Sequence, residues 1–391
     1  MLDNEPTGAA SGPPPEGGQT PRSVVLVAGS GRSGTSTMSG ILRQLGMYVP
    51  KPEVVADGTN PRGFGEPRWV VDLHSALLSR ARVHASDARP DAWEHATGVV
   101  TDVIRRQLDS WVAEQFNHAA QAGGTTELVI KDPRLLWFLS EWSSAAERAG
   151  ATPCIVTMLR PPAEVVRSKS TYYGDRMTDS NRVAGWINMM LQTEHVTRNT
   201  RRAYVQYDDL LADWTIPLYR LGETLGLHGI KNATPDDIRR VHHFVDPSLR
   251  RITIGWDDLE VPAQLRELAT ETWEQLTVLV DPVADPQIVG QHLDEMRTSY
   301  DDLYRGAELI AMSSVIAARR GGKPAKPAST AAATPPPRPT PAGEAPTPTP
   351  EEPGQLDRAA WLVPHGLRSR IPSGLRRRAR SGLARLRGGS R

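Results

Sequence analysis

The chain has 391 residues, a formal net charge of +1 and a single cysteine, Cys154. This length supports one large domain or two modest ones, and a lone cysteine excludes an intrachain disulfide framework or a cysteine zinc site. No apolar run reaches the ~18 residues of a membrane span, so a soluble, cytoplasmic protein is expected.

Residues 1–22, "MLDNEPTGAASGPPPEGGQTPR", lack the apolar core of a signal peptide and read as a disordered leader. "SVVLVAG" (23–29) is a short β-branched run, a buried strand that ends in glycine. It leads into "GSGRSGTSTMSG" (29–40), which matches the phosphate-binding pattern G-x-x-x-x-G-K-[ST] at Gly29, Gly34 and Ser36 but carries Thr35 where the lysine belongs. "TSTMSGILRQLG" (35–46) then spaces Met38, Ile41, Leu42 and Leu45 as a helix, with Gly46 as its stop. Helical spacing returns over 66–81, and 91–121 predicts one long amphipathic helix. A second strand is expected over 127–133, a helix to about Gly150, and a third strand over 153–162. Helices follow at 162–174 and 181–201, then a fourth strand at 202–211. The pattern is mostly helical from 215 to 318, broken by "DPSLRRITIGW" (246–256).

Strands alternating with long helices predict an α/β fold: a three-layer sandwich with a mainly parallel sheet and a helical C-terminal part. The expected domain spans 23–320. Ligands of such sheets sit at the carboxyl ends of the strands. Three predicted strand ends carry polar residues, Arg32 to Ser36, Lys131 to Arg134, and Arg160, and these are expected to converge on one site.

A glycine-rich turn entering a helix offers backbone N–H groups and a positive helix end to an anion. Here Gly31 and Gly34 shape the turn, Ser33, Thr35 and Ser36 add hydroxyls, and Arg32 adds a fixed charge. A nucleoside triphosphatase would also need the missing lysine and an acid for Mg²⁺, and no apolar strand ends in a suitable aspartate. The loop therefore reads as a cradle for an anion that needs no metal. Glu66, placed where a helix opens after "GFG", is the expected general base for an acceptor hydroxyl, set against a favourable acid in the first turn. His74, eight residues on and near the same face, is a base or an acceptor-orienting residue, or is simply packed. Asp132 is expected near a helix N-cap, with Arg134 on the anion or on Asp132. Trp137 and Trp142 are expected in the core.

"RSGTS" (32–36), "LRPPAEVVRSKS" (159–170) and "KDPRLLWFL" (131–139) together resemble the PAPS-dependent sulfotransferase family, over roughly 23 to 256. The first matches its phosphosulfate loop, [RK]-[SG]-G-[ST]-[ST]. The second matches its 3′-phosphate motif, an arginine at a strand end (Arg160) with a serine eight residues later (Ser168). The third is similar to the "KDP" strand end of bacterial and tyrosylprotein members. The resemblance implies PAPS as co-substrate with no metal, Arg32 and Lys131 neutralising the leaving phosphosulfate, and Glu66 as base. Arg32 stands where cytosolic members carry lysine, so any proton donation falls to Lys131. Arg250, with Arg251, is expected to close over the 3′-phosphate or else to form surface salt bridges.

Residues 321–355 are Pro-rich and predict a stiff, extended linker. Residues 356–391 hold ten arginines and one acid, a net of +9, which leaves −8 on the rest of the chain. Leu367, Ile371, Leu375, Ala379, Leu383 and Leu386 recur every three or four residues among those arginines. The pattern predicts a basic amphipathic tail that lies on an anionic membrane surface, set against a solvated basic arm that binds nothing in particular or nucleic acid nonspecifically, and no specific nucleic acid is expected. The function expected from the whole sequence is sulfuryl transfer from PAPS to a hydroxyl on a small molecule, glycan, glycolipid or lipid-linked alcohol. The protein is then cytoplasmic and peripheral to the inner face of the membrane. A P-loop kinase and an inactive PAPS-binding scaffold are the alternatives.

Overall fold

The computed structural model describes residues 21–58, 60–173, 177–246 and 254–320, all within one compact unit spanning 1–322. Arg250, Arg251, the linker and the basic tail lie outside the described residues.

Four parallel strands form one sheet in the order β2-β1-β3-β4: β1 (Ser23–Ala28), β2 (Glu127–Lys131), β3 (Thr152–Leu159) and β4 (Arg201–Gln206). In register, Leu26 lies between Ile130 and Ile155. The two-residue period of β1 assigns its side chains to opposite cores. Val24 and Leu26 join one apolar cluster, and Val25 and Val27 join another.

The first cluster is covered by α2 (Arg68–Ala81), α3 (Ala92–Gly98), α4 (Asp102–Ala122) and α5 (Leu139–Arg148). The second is covered by α1 (Thr35–Gln44), α8 (Tyr207–Ala212), α9 (Thr215–Leu225), α10 (His228–Lys231) and α11 (Pro235–Phe244). A third cluster joins α6 (Pro162–Tyr173), α7 (Asp179–Thr197), α12 (Ala263–Val278) and α13 (Pro286–Arg320). Helices on both faces of a parallel sheet make the three-layer α/β sandwich that the alternation of elements predicts.

Three expected boundaries are corrected. The single helix over 91–121 is two, α3 and α4, separated at Val99–Thr101 after Gly98. Apolar periodicity runs through the break because Ala92, Ala96, Val100, Leu108 and Trp111 all face the same cluster. The fourth strand stops at Gln206, and its expected second half is α8. Glu66 does not open a helix: it precedes Pro67, the N-cap of α2, and its carbonyl accepts from the Val54 N–H at 2.8 Å.

Candidate active site

The loop between β1 and α1 turns sharply because three of its residues adopt left-handed backbone. Gly29 has φ 136°, Arg32 φ 79° and Gly34 φ 92°. At Gly34 a Cβ would sit 2.2 Å from the Tyr207 ring, so only glycine fits. Arg32 carries a side chain in a region that penalises one by about 1–2 kcal/mol, and neighbours hold it there. The Arg160 guanidinium donates to the Arg32 carbonyl at 3.1 Å. The Arg32 side chain donates through Nε to Ser168 Oγ at 3.0 Å and lies 4.1 Å over the Tyr172 ring. Residues 32, 160 and 168, far apart in sequence, are thus one constellation.

Lys131, at the carboxyl end of β2, brings its ammonium to the start of α1. Its Nζ donates to Ser36 Oγ at 3.1 Å and to Glu66 Oε1 at 2.5 Å. The pair is almost fully buried, with side chains 2% and 10% exposed. The cation that the loop lacks at position 35 therefore reaches Ser36 from the neighbouring strand. Arg160, after β3, is buried and pairs with Glu164 at 2.9 Å, with its guanidinium 5.3 Å from the Tyr207 ring centre. Burial pushes the Tyr207 phenol up, against the opposing charge of Arg160, so it stays protonated at neutral pH.

One cavity gathers Gly31, Arg32, Gly34, Thr35, Ser36, Glu66, Lys131, Arg160 and Ser168, with Tyr172 and Tyr207 on its walls. The ends of all four strands contribute to it. Its outer rim is the 60–64 turn and Phe244, joined where Arg62 donates to the Phe244 carbonyl and pairs with Asp246 at 3.1 Å. Tyr172, Tyr207, Phe64 and Phe244 are absent from the sequence-based site. Tyr207 alone had a usable signal, since it follows the fourth strand end.

Ser33 and His74 are corrected. Ser33 is buried and its hydroxyl donates back to the Ser30 carbonyl at 2.6 Å, closing the turn instead of facing the cavity. His74 is fully buried and stacks on Phe138. The Trp142 indole N–H donates to its Nε2 at 2.8 Å, so Nδ1 carries the proton and donates to Asp132 Oδ2 at 2.9 Å. Both nitrogens are occupied inside the core. The Asp132 carboxylate also takes the Arg134 backbone and guanidinium, at 3.1 and 2.8 Å. Burial alone would raise it, but the hydrogen bond from His74 and the charge and backbone N–H of Arg134 hold it below its usual range.

His74→Ala is expected to destabilise the fold by roughly 2–4 kcal/mol, from lost packing plus two orphaned buried partners. Urea unfolding measures this, and lost turnover at unchanged stability would return His74 to the reaction.

The fold and site together define an α/β protein with a glycine-rich turn, two arginines and a lysine gathered at the carboxyl edge of a parallel sheet. No protein-family model matches the chain, and no curated protein matches it in sequence. Among solved structures it is similar to the sulfotransferase domain of the Synechococcus PCC 7002 olefin synthase, at 17% identity and a TM-score of 0.39, covering 67% of this chain and 97% of that one. The sulfotransferase domain from the curacin biosynthetic pathway matches at 15% identity and a TM-score of 0.37, covering 66% and 99%. Sulfotransferase STF1 from Mycobacterium tuberculosis H37Rv matches at 12% identity and a TM-score of 0.34, covering 65% and 77%.

Proposed function

We propose that the chain is a sulfotransferase that moves the sulfuryl group of PAPS to an acceptor hydroxyl and releases PAP. The observation that carries this reading is the convergence of Arg32, Lys131 and Arg160 on a hydroxyl-lined turn at one cavity. Three fixed cations with Ser36 and Ser168 suit a ligand with two anionic regions.

PAPS supplies the sulfuryl group when bound. The acceptor oxygen forms a bond to sulfur, and the bond from sulfur to the bridging phosphate oxygen breaks. The electron pair leaves on the phosphate of PAP, and the hydroxyl proton goes to Glu66. Catalysis of this kind is mostly alignment and charge stabilisation. In the ligand-free pair Glu66 is held by Lys131. An anion at Ser36 competes for that ammonium, so arrival of the donor releases the carboxylate as Lys131 turns to the leaving phosphate. Arg32 and Arg160 present planar guanidinium donors, which suit phosphate oxygens better than an ammonium does.

The acceptor class we assign is a glycan, glycolipid or lipid-linked alcohol. It rests on the basic amphipathic tail at 356–391, which would hold the protein on the inner face of an anionic membrane. Among the described residues no helix is long and apolar enough to cross one.

Calorimetric titration of the full chain with PAP and with ATP, each with and without Mg²⁺, tests the reading. Micromolar PAP binding that ignores Mg²⁺ is expected. Mg²⁺-dependent ATP binding without PAP binding would replace it with a phosphotransferase.

A further inference from the structure

Beside the turn, and not among the residues that line the cavity, lies a lysine that the transfer chemistry does not use. Lys169 follows Ser168 on α6 and is 6% exposed. Its Nζ donates to Ser30 Oγ in the loop at 3.0 Å and to Ser86 Oγ at 2.8 Å. Both partners are neutral hydroxyls. Among the described residues no carboxylate pairs with it, and the charged group acting on it is another cation, Arg182 of α7. Asp87, adjacent in sequence to Ser86, is turned to Arg89 at 2.8 Å.

Lys131 and Arg160 differ from it in this respect, since each has its own glutamate. A buried ammonium without a counter-charge is penalised in its charged form. Burial, with Arg182 beside it, brings Lys169 down to about 8. The opposite charge it lacks can come from an anion in the cradle, across a turn whose Ser30 it already holds.

We propose that Lys169 is a positioning cation for the cradle, holding Ser30 and the turn while its charge supports the bound anion. The proposal rests on the anion-cradle reading above and adds a coupling to it. By reciprocity, an anion that strengthens protonation of Lys169 is itself bound more tightly when Lys169 is protonated. Anion affinity is therefore full below about pH 8 and falls as pH rises through the lysine's titration. Neither of two other buried groups blurs this window. Burial pushes Cys154 up to about 11, and Tyr207 is raised. The ligand's own phosphates complete their second ionisation near pH 6.

The test is PAP affinity of the full chain by calorimetry from pH 7 to 9.5, for the unaltered protein, Lys169→Met, Lys169→Gln and Lys169→Arg, with melting temperatures recorded alongside. The unaltered protein is expected to lose roughly tenfold in affinity across the range, the equivalent of one pK unit of coupling. Lys169→Met and Lys169→Gln are expected to bind about tenfold more weakly at pH 7 with a flat profile. Lys169→Arg, charged at every pH used, is expected to bind more tightly than either with a flat profile. If Lys169→Met fails to fold, the native profile and Lys169→Gln decide the matter. A flat native profile, or Lys169→Gln binding PAP as tightly as the native chain, would reduce Lys169 to a structural tie and overturn the proposal while leaving the donor site standing. Absence of PAP binding by the unaltered chain would overturn both.

Discussion

Lys131→Met is expected to lower turnover by roughly 10²–10³-fold, the range seen when one preorganised stabiliser of transition-state charge is removed. An assay that needs no acceptor reads this: the slow desulfation of PAPS to PAP by water. The variant also strips Glu66 of its partner. Truncating one member of a buried ion pair destabilises by about 3–5 kcal/mol, because the remaining charge is left uncompensated. The single variant therefore mixes chemistry with folding. The double variant Lys131→Met/Glu66→Gln separates them, since a neutral amide replaces the stranded carboxylate beside Ser36. It is expected to recover most of the lost melting temperature and none of the activity. Recovery of turnover together with stability would show that Lys131 serves only to neutralise Glu66, and the transfer role assigned to both would fall.

The parts of the site that were legible in the sequence are those whose chemistry is local or follows from sheet topology. Gly34, Thr35 and Ser36 are contiguous, and the left-handed turn that aims them is written in the glycines. The convergence of Lys131 and Arg160 follows from the strand pattern, because a parallel sheet delivers its strand ends to one edge. The Lys131–Glu66 contact was not legible. It spans 65 positions, and it depends on the 53–67 segment folding back so that Val54 bonds to the Glu66 carbonyl. Neither the expected general base nor its alternative, an acid in the first turn of a helix, includes the buried ammonium that the structure sets against Glu66.

His74 is the opposite case, in which the packed alternative left open by the sequence is the one the core takes. Val70, His74, Leu77 and Leu78 recur at helical spacing, and that stripe is the buried face of α2. A histidine on such a stripe belongs to the core unless something opens the core to solvent, and here Trp142 and Asp132 close it. Lys169 has no such signal, because burial of a lysine without an acid leaves no mark in sequence. The break between α3 and α4 was hidden because both helices present apolar residues to one cluster, so periodicity persists across it.

Arg160→Ala is expected to weaken PAP binding by at least about 30-fold, the lower end of the ~2–5 kcal/mol that attends truncation of a buried, hydrogen-bonded charge. The effect has two sources that an intermediate variant resolves. The guanidinium faces the cavity, and it also fixes the carbonyl of Arg32 at 3.1 Å in a backbone conformation that a side chain disfavours. Arg160→Lys keeps a charge near the cavity and gives up the planar fork that reaches the Arg32 carbonyl and Glu164 together. If charge alone holds the ligand, Arg160→Lys should lie within a few fold of the native affinity. We expect it instead to fall closer to alanine, because relaxation of Arg32 also misplaces the Ser168 contact and the cation over Tyr172. Ser168→Ala supplies the control. It removes one hydroxyl without disturbing the Arg160 contact and should weaken PAP by roughly tenfold, the range of one hydrogen bond to a charged group. Native affinity in Arg160→Ala, with the protein folded, would remove Arg160 from the site and with it the reason for reading the cavity as a two-anion pocket.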